Sequence, residues 1–549
     1  MSDIFRDVFR NEVIRASAGT GKTFALSNRF LRLLASGAEC ETILATTFTR
    51  KAAGEILDRI VQRLAKAALN EDEATILAQQ LDWKMDKLRA QDLLRELIEN
   101  LHRLQISTLD AFFYRIAQSF RLELGLPTQW QIVTEQQMQA LQHDTVREIL
   151  REKTVIDLLH LMNKGEAQRG VAALISNTVN RLYDIRRQSE REAWTLLEPD
   201  PTFKHERDFS EHVEQLLSFE YPDKRFLTAI KKEIVLIEQR DWLKLASASI
   251  FTKVLNQDLL YYKKAIPPEC CRVYGELIDH CRGFVIDMLI RKNSSTFDLL
   301  DEFGKEMEAE KTAAGRLRFE DITRRLEDFI RDRNTDDFDF RLDHTVNHLL
   351  LDEFQDTSIA QWNVVQPFAA RTTEPDDNRS FFCVGDLKQA IFGWRGGVAE
   401  IFDSVECSLS NMSEAPPLTK SYRSSQVIID VVNEVFGNLD KFQVDDNAVA
   451  NEAVLQWAAG FGTHKTDKAD LPGFFELEFA AENKEKYPDR NRKRNEDTLV
   501  TSVHRISQLH EAMPDRSIGV LVRKNQTIGE LIFCSAALGF RRVKKVVIR

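Results

Sequence analysis

Two short stretches carry residue types and spacings suited to handling a phosphate. The first is Ala16-Ser17-Ala18-Gly19-Thr20-Gly21-Lys22-Thr23. Glycines in such a run let the backbone turn tightly, so that successive N–H groups point inward at phosphate oxygens, and a following helix adds its positive N-terminal end. Lys22 would then reach the β- and γ-phosphates of ATP, and the Thr23 hydroxyl would ligate Mg²⁺. The usual pattern G-x-x-x-x-G-K-[ST] starts with glycine, where this chain has Ala16. The plainer alternative is a glycine-rich turn ahead of an amphipathic helix. The second stretch is Leu349-Leu350-Leu351-Asp352-Glu353. An apolar strand ending in two carboxylates would place them at the carboxyl edge of a sheet, where open α/β folds bind ligands. Asp352 would hold the metal through water, and Glu353 would act as general base on the attacking water. Taken alone, this pair also reads as a strand running into a solvated acidic turn.

The elements needed to position these groups follow from the surrounding pattern. Glu12 to Ala16 reads as a short strand, and Lys22 to Ser36 as a helix whose apolar side holds Phe24, Phe30, Leu33 and Leu34. A strand at Thr42 to Thr46 and a helix from Arg50 to Lys66 come next. Strand–helix–strand–helix in short order implies a parallel α/β sheet. From about Pro127 to Gly315 the pattern is helical with little strand, Glu135 to Glu152 being typical, which predicts a mainly α-helical insertion. Strand candidates return at Val346 to Leu351, Phe381 to Val384 and Ile518 to Val522. The charged stretch Glu482 to Asp497 reads as a solvated surface loop.

Composition narrows the class. Lys plus Arg is 75 against 86 Asp plus Glu, a net charge of −11, so a nucleic-acid site must be a local groove within an acidic molecule. The 7 Cys include no C-x-x-C pair, which argues against a disulfide framework or a zinc finger. No signal-peptide core opens the chain and no apolar run of membrane-spanning length occurs, so the expectation is a cytoplasmic protein without membrane contact.

Six segments then match a known family in order: ASAGTGKT, TTFTRKAAGEI (residues 46–56), ISTLDAFF (106–113), DEFQDTS (352–358), VGDLKQAIFGWRGG (384–397) and SYRSS (421–425). Together they resemble UvrD/Rep-type superfamily 1 DNA helicases, with wording closest to the RecB/AddA branch that processes broken DNA ends. The resemblance implies two RecA-like domains with ATP and Mg²⁺ in the cleft between them and single-stranded DNA crossing both, moved 3′ to 5′. It assigns residues 1–126 and 316–412 to the first RecA-like domain, 127–315 to an arm-like insertion, and 413–549 to part of a second RecA-like domain. Gln389 resembles the γ-phosphate sensor and Tyr422 the residue that packs on adenine. Arg423 resembles the arginine finger, a fixed guanidinium that stabilises charge on the transferring phosphoryl; the plainer reading is a surface ion pair. Phe392 and Trp394 resemble aromatics on which bases stack, with Arg395 beside them on the strand; ordinary core packing is the alternative. Thr47, Phe48, Thr49 and Thr108 resemble groups that hold the DNA backbone without reading sequence. The implied partners are single-stranded DNA or DNA ends and a second helicase–nuclease subunit.

The chain also departs from the family pattern. Asp110 stands where many relatives have His, and no Gln occurs in residues 1–15, where many have an adenine-reading glutamine. The T-x-H-x-x-K-G motif and the last motif, with its second arginine finger, are not found; Thr463-His464 lacks the Lys-Gly and reads as a decoy. The expectation is therefore a chain truncated within its second motor domain, binding nucleotide but turning over poorly by itself. The rival from another class is a nucleotide-gated DNA-binding or partner subunit without motor activity. A small-molecule P-loop kinase explains the first stretch but not Gln389, Trp394 and Arg423. Cys270, Cys271, His280 and Cys281 match no common metal spacing and read as a helical face. Phe319-Glu320-Asp321-Ile322 marks re-entry into the first domain or a buried helix. Arg186-Arg187 and Lys231-Lys232 read as solvated faces, a duplex-contacting arm being the sharper alternative.

Overall fold

The computed structural model describes residues 9–150, 168–221, 224–331, 336–342, 345–374, 378–390, 393, 397, 401–442, 447–480 and 490–537. The chain divides into two compact units, Met1–Ile14 with Thr23–Ala415, and Arg15–Lys22 with Pro416–Arg549.

The first unit is built on a six-stranded sheet. Its strands are β1 (Asn11–Arg15), β2 (Ile43–Thr47), β3 (Gln105–Thr108), β4 (His348–Leu351), β5 (Ser380–Gly385) and β6 (Met412–Glu414), in the spatial order β6-β1-β5-β4-β2-β3. The pairs β6–β1, β5–β4, β4–β2 and β2–β3 run parallel. Every residue of β2, β4 and β5 is buried, which is why these strands read as mainly apolar runs without polar alternation: helices cover both faces of a parallel sheet. Those helices include α1 (Lys22–Ser36), α2 (Arg50–Leu69) and α3 (Leu109–Ser119). In α2, buried Ala53, Ile56, Ile60, Leu64 and Ala67 recur at three- and four-residue steps, the spacing that keeps one face inward.

After α3 the chain leaves the sheet for a helical segment. It contains α4 (Glu135–Ile149), α5 (Gln168–Arg187) and the 47-residue α6 (Pro268–Ala314). At 1.5 Å per residue α6 is roughly 70 Å long. It starts with proline at its first turn, where the missing N–H costs nothing. Two separate apolar clusters share it. The first half contributes Cys270, Tyr274 and Leu277 to a core with Phe226, Ile230 and Trp242. The second half contributes Leu299, Leu300, Phe303 and Met307 to a core with Met138, Ile149 and Val179. The outgoing and returning chains meet where Gln131–Ile132 pairs in parallel with Arg316–Leu317. Then α7 (Phe319–Ile330) and α8 (Ile359–Thr372) pack with α3 on the sheet, burying Phe112, Leu326, Trp362 and Phe368 in the main core.

The second unit has a smaller sheet, in which β7 (Lys420–Ser425) pairs in parallel with β8 (Lys465–Lys468). Two sequence expectations are corrected here. Ile518 to Val522 does not form a strand; Val520 and Leu521 are 46% and 91% exposed. Apolar character can fill a strand only where a neighbour offers a ladder, and among the described residues none pairs with it. The charged stretch 482–497 is not wholly a loop: from residue 490 onward it is the start of the helix α9 (Arg490–Ala512). Arg, Lys and Glu are good helix formers, so charge alone did not imply an irregular chain. The residues 481–489 and the basic tail 538–549 lie outside the described residues.

Arg186 and Arg187 are also not simply solvated. Arg186 pairs with Asp301, and Arg187 reaches Asp321 at 3.1 Å with only 17% of its side chain exposed. Lys231 and Lys232 are exposed. His280 lies among Phe203, Phe209 and Trp242 at ring separations of 4.6–5.0 Å, and burial pushes its pKa down to about 4. Among the described residues, no group of three or more His, Cys, Asp or Glu could hold a metal ion. None of the described helices is long and apolar enough to cross a membrane.

Candidate nucleotide and nucleic-acid site

β1 runs directly into the glycine-rich loop, and α1 starts at Lys22. Gly19 and Gly21 hold φ of +74° and +94°, a region that side chains with a Cβ disfavour. The loop is braced from inside: the Thr20 hydroxyl donates to the Ser17 carbonyl at 2.7 Å, and the Thr20 amide to the same oxygen at 3.3 Å. Among the described residues, the amides of Ala18, Gly19 and Gly21 donate to no acceptor. Three donors without acceptors, beside a helix N-terminus that begins with a buried lysine, fit the oxygens of a polyphosphate.

The second unit places β7 along this loop. The Ser17 amide donates to the Leu418 carbonyl at 3.1 Å, and the Tyr422 amide to the Gly19 carbonyl at 2.8 Å. A Cβ built on Gly19 would stand 2.9 Å from the Arg423 Cβ. Tyr422 is 55% exposed, with the Lys420 Nζ over its ring at 5.9 Å from the centroid. His464, read from the sequence as a decoy, adds a contact the sequence reading missed: its Nε2 lies 2.9 Å from the Ser17 Oγ, and Asn433 grips its backbone at both N–H and carbonyl. Only the pairing of β8 with β7 brings it there.

In the first unit the carboxyl ends of β2, β3, β4 and β5 all face one edge, because the strands are parallel. Asp352 follows β4, and its amide extends the ladder to the Thr46 carbonyl at 2.9 Å. It is 6% exposed, and its Oδ1 accepts from the Glu353 amide at 3.0 Å. Glu353 sits at φ +50°, an uncommon conformation for a residue with a side chain. A relay runs from it across the edge. Gln355 Nε2 donates to Glu353 Oε2 at 2.8 Å, Gln355 Oε1 accepts from the Asp386 amide at 2.8 Å, and Asp386 Oδ2 accepts from Gln389 Nε2 at 2.7 Å. Gln355 is 1% exposed. The sequence reading passed over it, although a Gln two residues after the acidic pair was a visible signal. Beside it, burial lowers the Lys388 pKa while Asp386 opposes the shift.

Thr47, Phe48, Asp352 and Glu353 line one cleft together with Asp110. Thr47 is 2% exposed and its Oγ1 finds no hydrogen-bond partner among the described residues. The Thr49 hydroxyl accepts from the Ala52 amide at 3.1 Å and caps α2, and the Thr108 hydroxyl accepts from the Ala111 amide at 3.2 Å and caps α3. Each cap leaves its hydroxyl proton able to donate outward. Asp110 accepts from Gln361 Nε2 at 3.3 Å. Phe392, Trp394 and Arg395 lie outside the described residues.

Comparison with known proteins agrees with this architecture. Over 505 residues the chain is 22% identical to an ATP-dependent helicase/nuclease subunit of Streptococcus thermophilus, covering 79% of this chain and 38% of that protein. It is 24% identical over 469 residues to the RecBCD enzyme subunit RecB of Escherichia coli, covering 78% and 38%. With an ATP-dependent helicase/nuclease subunit of Lactobacillus gasseri it shares 22% over 523 residues, covering 83% and 41%. The chain thus spans about two fifths of the length of these relatives. The family model for the UvrD/REP helicase N-terminal domain matches residues 6–409, the region holding five of the six strands of the main sheet and the helical segment, and the chain belongs to that family.

Proposed function

We propose that this chain is the nucleotide-driven part of an ATP-dependent 3′–5′ DNA helicase or translocase, acting on single-stranded DNA in repair or recombination. The observation that carries the reading is the hydrogen-bonded relay Glu353–Gln355–Asp386–Gln389, which ties an acidic pair at a sheet edge to the segment leading toward the aromatic motif. On this reading Ala16 to Lys22 cradle the phosphates with their amides and the Lys22 ammonium. Thr23 and Asp352 hold Mg²⁺, which neutralises phosphate charge when bound. Glu353 takes a proton from the attacking water. Gln389 senses the γ-phosphate, and the relay passes its position on. Tyr422 packs on adenine, and Arg423 stabilises charge on the phosphoryl in flight. Thr47, Phe48, Thr49, Thr108, Phe392, Trp394 and Arg395 hold the strand. Residues 1–126 and 316–412 act as the first motor domain, 127–315 as its arm, and 413–549 as part of the second. The relatives are named as members of a helicase/nuclease and of the RecBCD enzyme. Those names, each of a subunit, support a second helicase–nuclease chain as the partner; DNA ends as the substrate and a cytoplasmic location rest on the resemblance of the motifs alone.

The test is ATP hydrolysis by the purified chain with and without single-stranded DNA, beside Lys22→Ala. Weak DNA-stimulated turnover that disappears in Lys22→Ala is the expected result; robust turnover would overturn the expectation that the chain turns over poorly by itself. Nucleotide binding without turnover would replace this reading with that of a nucleotide-gated DNA-binding protein.

A further inference from the structure

A second concentration of charge in the first unit belongs to neither the nucleotide cradle nor the DNA cleft. The C-terminal end of α5, the later turns of α6 and the start of α7 enclose a cleft of about 470 Å³. Five cations line it, Arg186, Arg187, Lys305, Arg324 and Arg325, against three carboxylates. Those carboxylates are already engaged. Asp301 takes Arg186 and, at 3.1 Å, Lys305. Glu308 takes Lys311 at 2.8 Å and Arg325 at 3.8 Å. Asp321 takes Lys311 at 2.9 Å and Arg187 at 3.1 Å. Arg325 also donates to the carbonyls of Leu124 and Gly125.

Arg324 is left over. Among the described residues it makes no hydrogen bond and no ion pair, although it is half-buried. Burial lowers its pKa first and the charge of Arg187 second, against the opposing pull of Asp321, Asp184 and Tyr183. Two guanidiniums near each other, one paired with Asp321 and the other with no carboxylate in ion-pair contact and only the fields of Asp321 and Asp184 for counter-charge, leave a place for a further anion. Gly304 keeps the wall low: a Cβ there would lie 3.5 Å from the Tyr183 hydroxyl.

The geometry points to this cleft as a binding site for a phosphoryl group, held between the guanidiniums of Arg324 and Arg187. A dianion can take hydrogen bonds from two guanidiniums at once, whereas a carboxylate is satisfied by one. The phosphoryl group has two sources, a free phosphoanion or the terminal phosphate of a DNA strand.

The experiment uses the full chain carrying Lys22→Ala, which weakens competing binding of the probe at the glycine-rich loop. Inorganic pyrophosphate is titrated calorimetrically, with sulfate at matched ionic strength as the control anion. Pyrophosphate should bind more tightly than sulfate, and Arg324→Ala should weaken it by about tenfold or more, with Arg324→Lys in between because an ammonium lacks the fork. A 5′-phosphorylated oligonucleotide that binds better than its 5′-hydroxyl twin, by an advantage lost in Arg324→Ala, assigns the source to a DNA end; equal binding of the two assigns it to a free phosphoanion. Pyrophosphate binding no tighter than sulfate, or unchanged in Arg324→Ala, overturns the proposal. So does a lowered melting temperature of ligand-free Arg324→Ala, which would show that the guanidinium serves the fold.

Discussion

One added methyl group at Gly19 tests whether the observed loop conformation is the one that holds nucleotide. At φ +74° an alanine carries a backbone penalty of about 1–2 kcal/mol. Its Cβ would also stand 2.9 Å from the Arg423 Cβ and 3.0 Å from the Ser421 Oγ. The Arg423 Cβ is fixed to the β7 backbone and cannot swing away, so either the loop or the strand must shift, an overpacking cost of about 1–3 kcal/mol. The loop is only partly buried at this point and can relax, so the lower end of the sum applies, about 2 kcal/mol. If nucleotide binding requires the present conformation, affinity for a fluorescent ATP analogue should fall by roughly 30-fold in Gly19→Ala. Gly54→Ala is the matched control. Gly54 lies inside α2 with nothing within 4 Å of an added Cβ. Alanine there should leave binding unchanged and stabilise the protein by about 0.5–1 kcal/mol through helix propensity. Nucleotide affinity of Gly19→Ala within about threefold of the parent would refute the reasoning, because it would mean that the bound loop does not pass through this geometry.

Three further outcomes are expected. Glu353→Gln keeps the shape but removes the base, so phosphate release should slow by about 10²–10⁴-fold with nucleotide binding retained; an unchanged rate would exclude Glu353 as the base. Asp321→Asn leaves the Lys311 ammonium, 2% exposed, with only the half-exposed Glu308 for counter-charge among the described residues. Breaking a buried pair from one side costs about 3–5 kcal/mol, readable as a lower urea midpoint, and no shift would count against the buried network. The third concerns pH. His348 is 2% exposed, stacks on Phe9 and meets the Ser380 Oγ at 3.0 Å through Nδ1. Burial, helped by Arg29, pushes its pKa down to about 3 from 6.5. A depressed folded-state value means stability that is present above pH 6.5 and lost as pH falls from there toward 3. At pH 5 the loss is about 2 kcal/mol. Urea midpoints at pH 7.5 and 5 should diverge in the parent and converge in His348→Gln; an equal fall in both would assign the acid sensitivity elsewhere.

Much of the first unit was legible because its signals are local. The helix Lys22–Ser36 lies where apolar spacing and the glycines put it, and the fully buried β2, β4 and β5 showed as apolar runs because parallel strands are covered on both faces. The six ordered motifs named the family, since each is a run of adjacent residues that is read in one dimension. Other features depended on partners far away in the chain. Ile518 to Val522 had a strand's composition but, among the described residues, no ladder to join. Arg186 and Arg187 looked like a solvated face until α6 and α7 brought Asp301 and Asp321 to them. Gln355 gained its place only when β5 set Asp386 beside it, and His464 only when β8 paired with β7. The sequence by itself determined the α/β class and the family and gathered the candidate site residues into short motifs, because these rest on neighbours along the chain. Tertiary structure decided which buried polar groups find partners and where charge is left over, as at Arg324, because those depend on contacts between residues that have no fixed spacing in sequence.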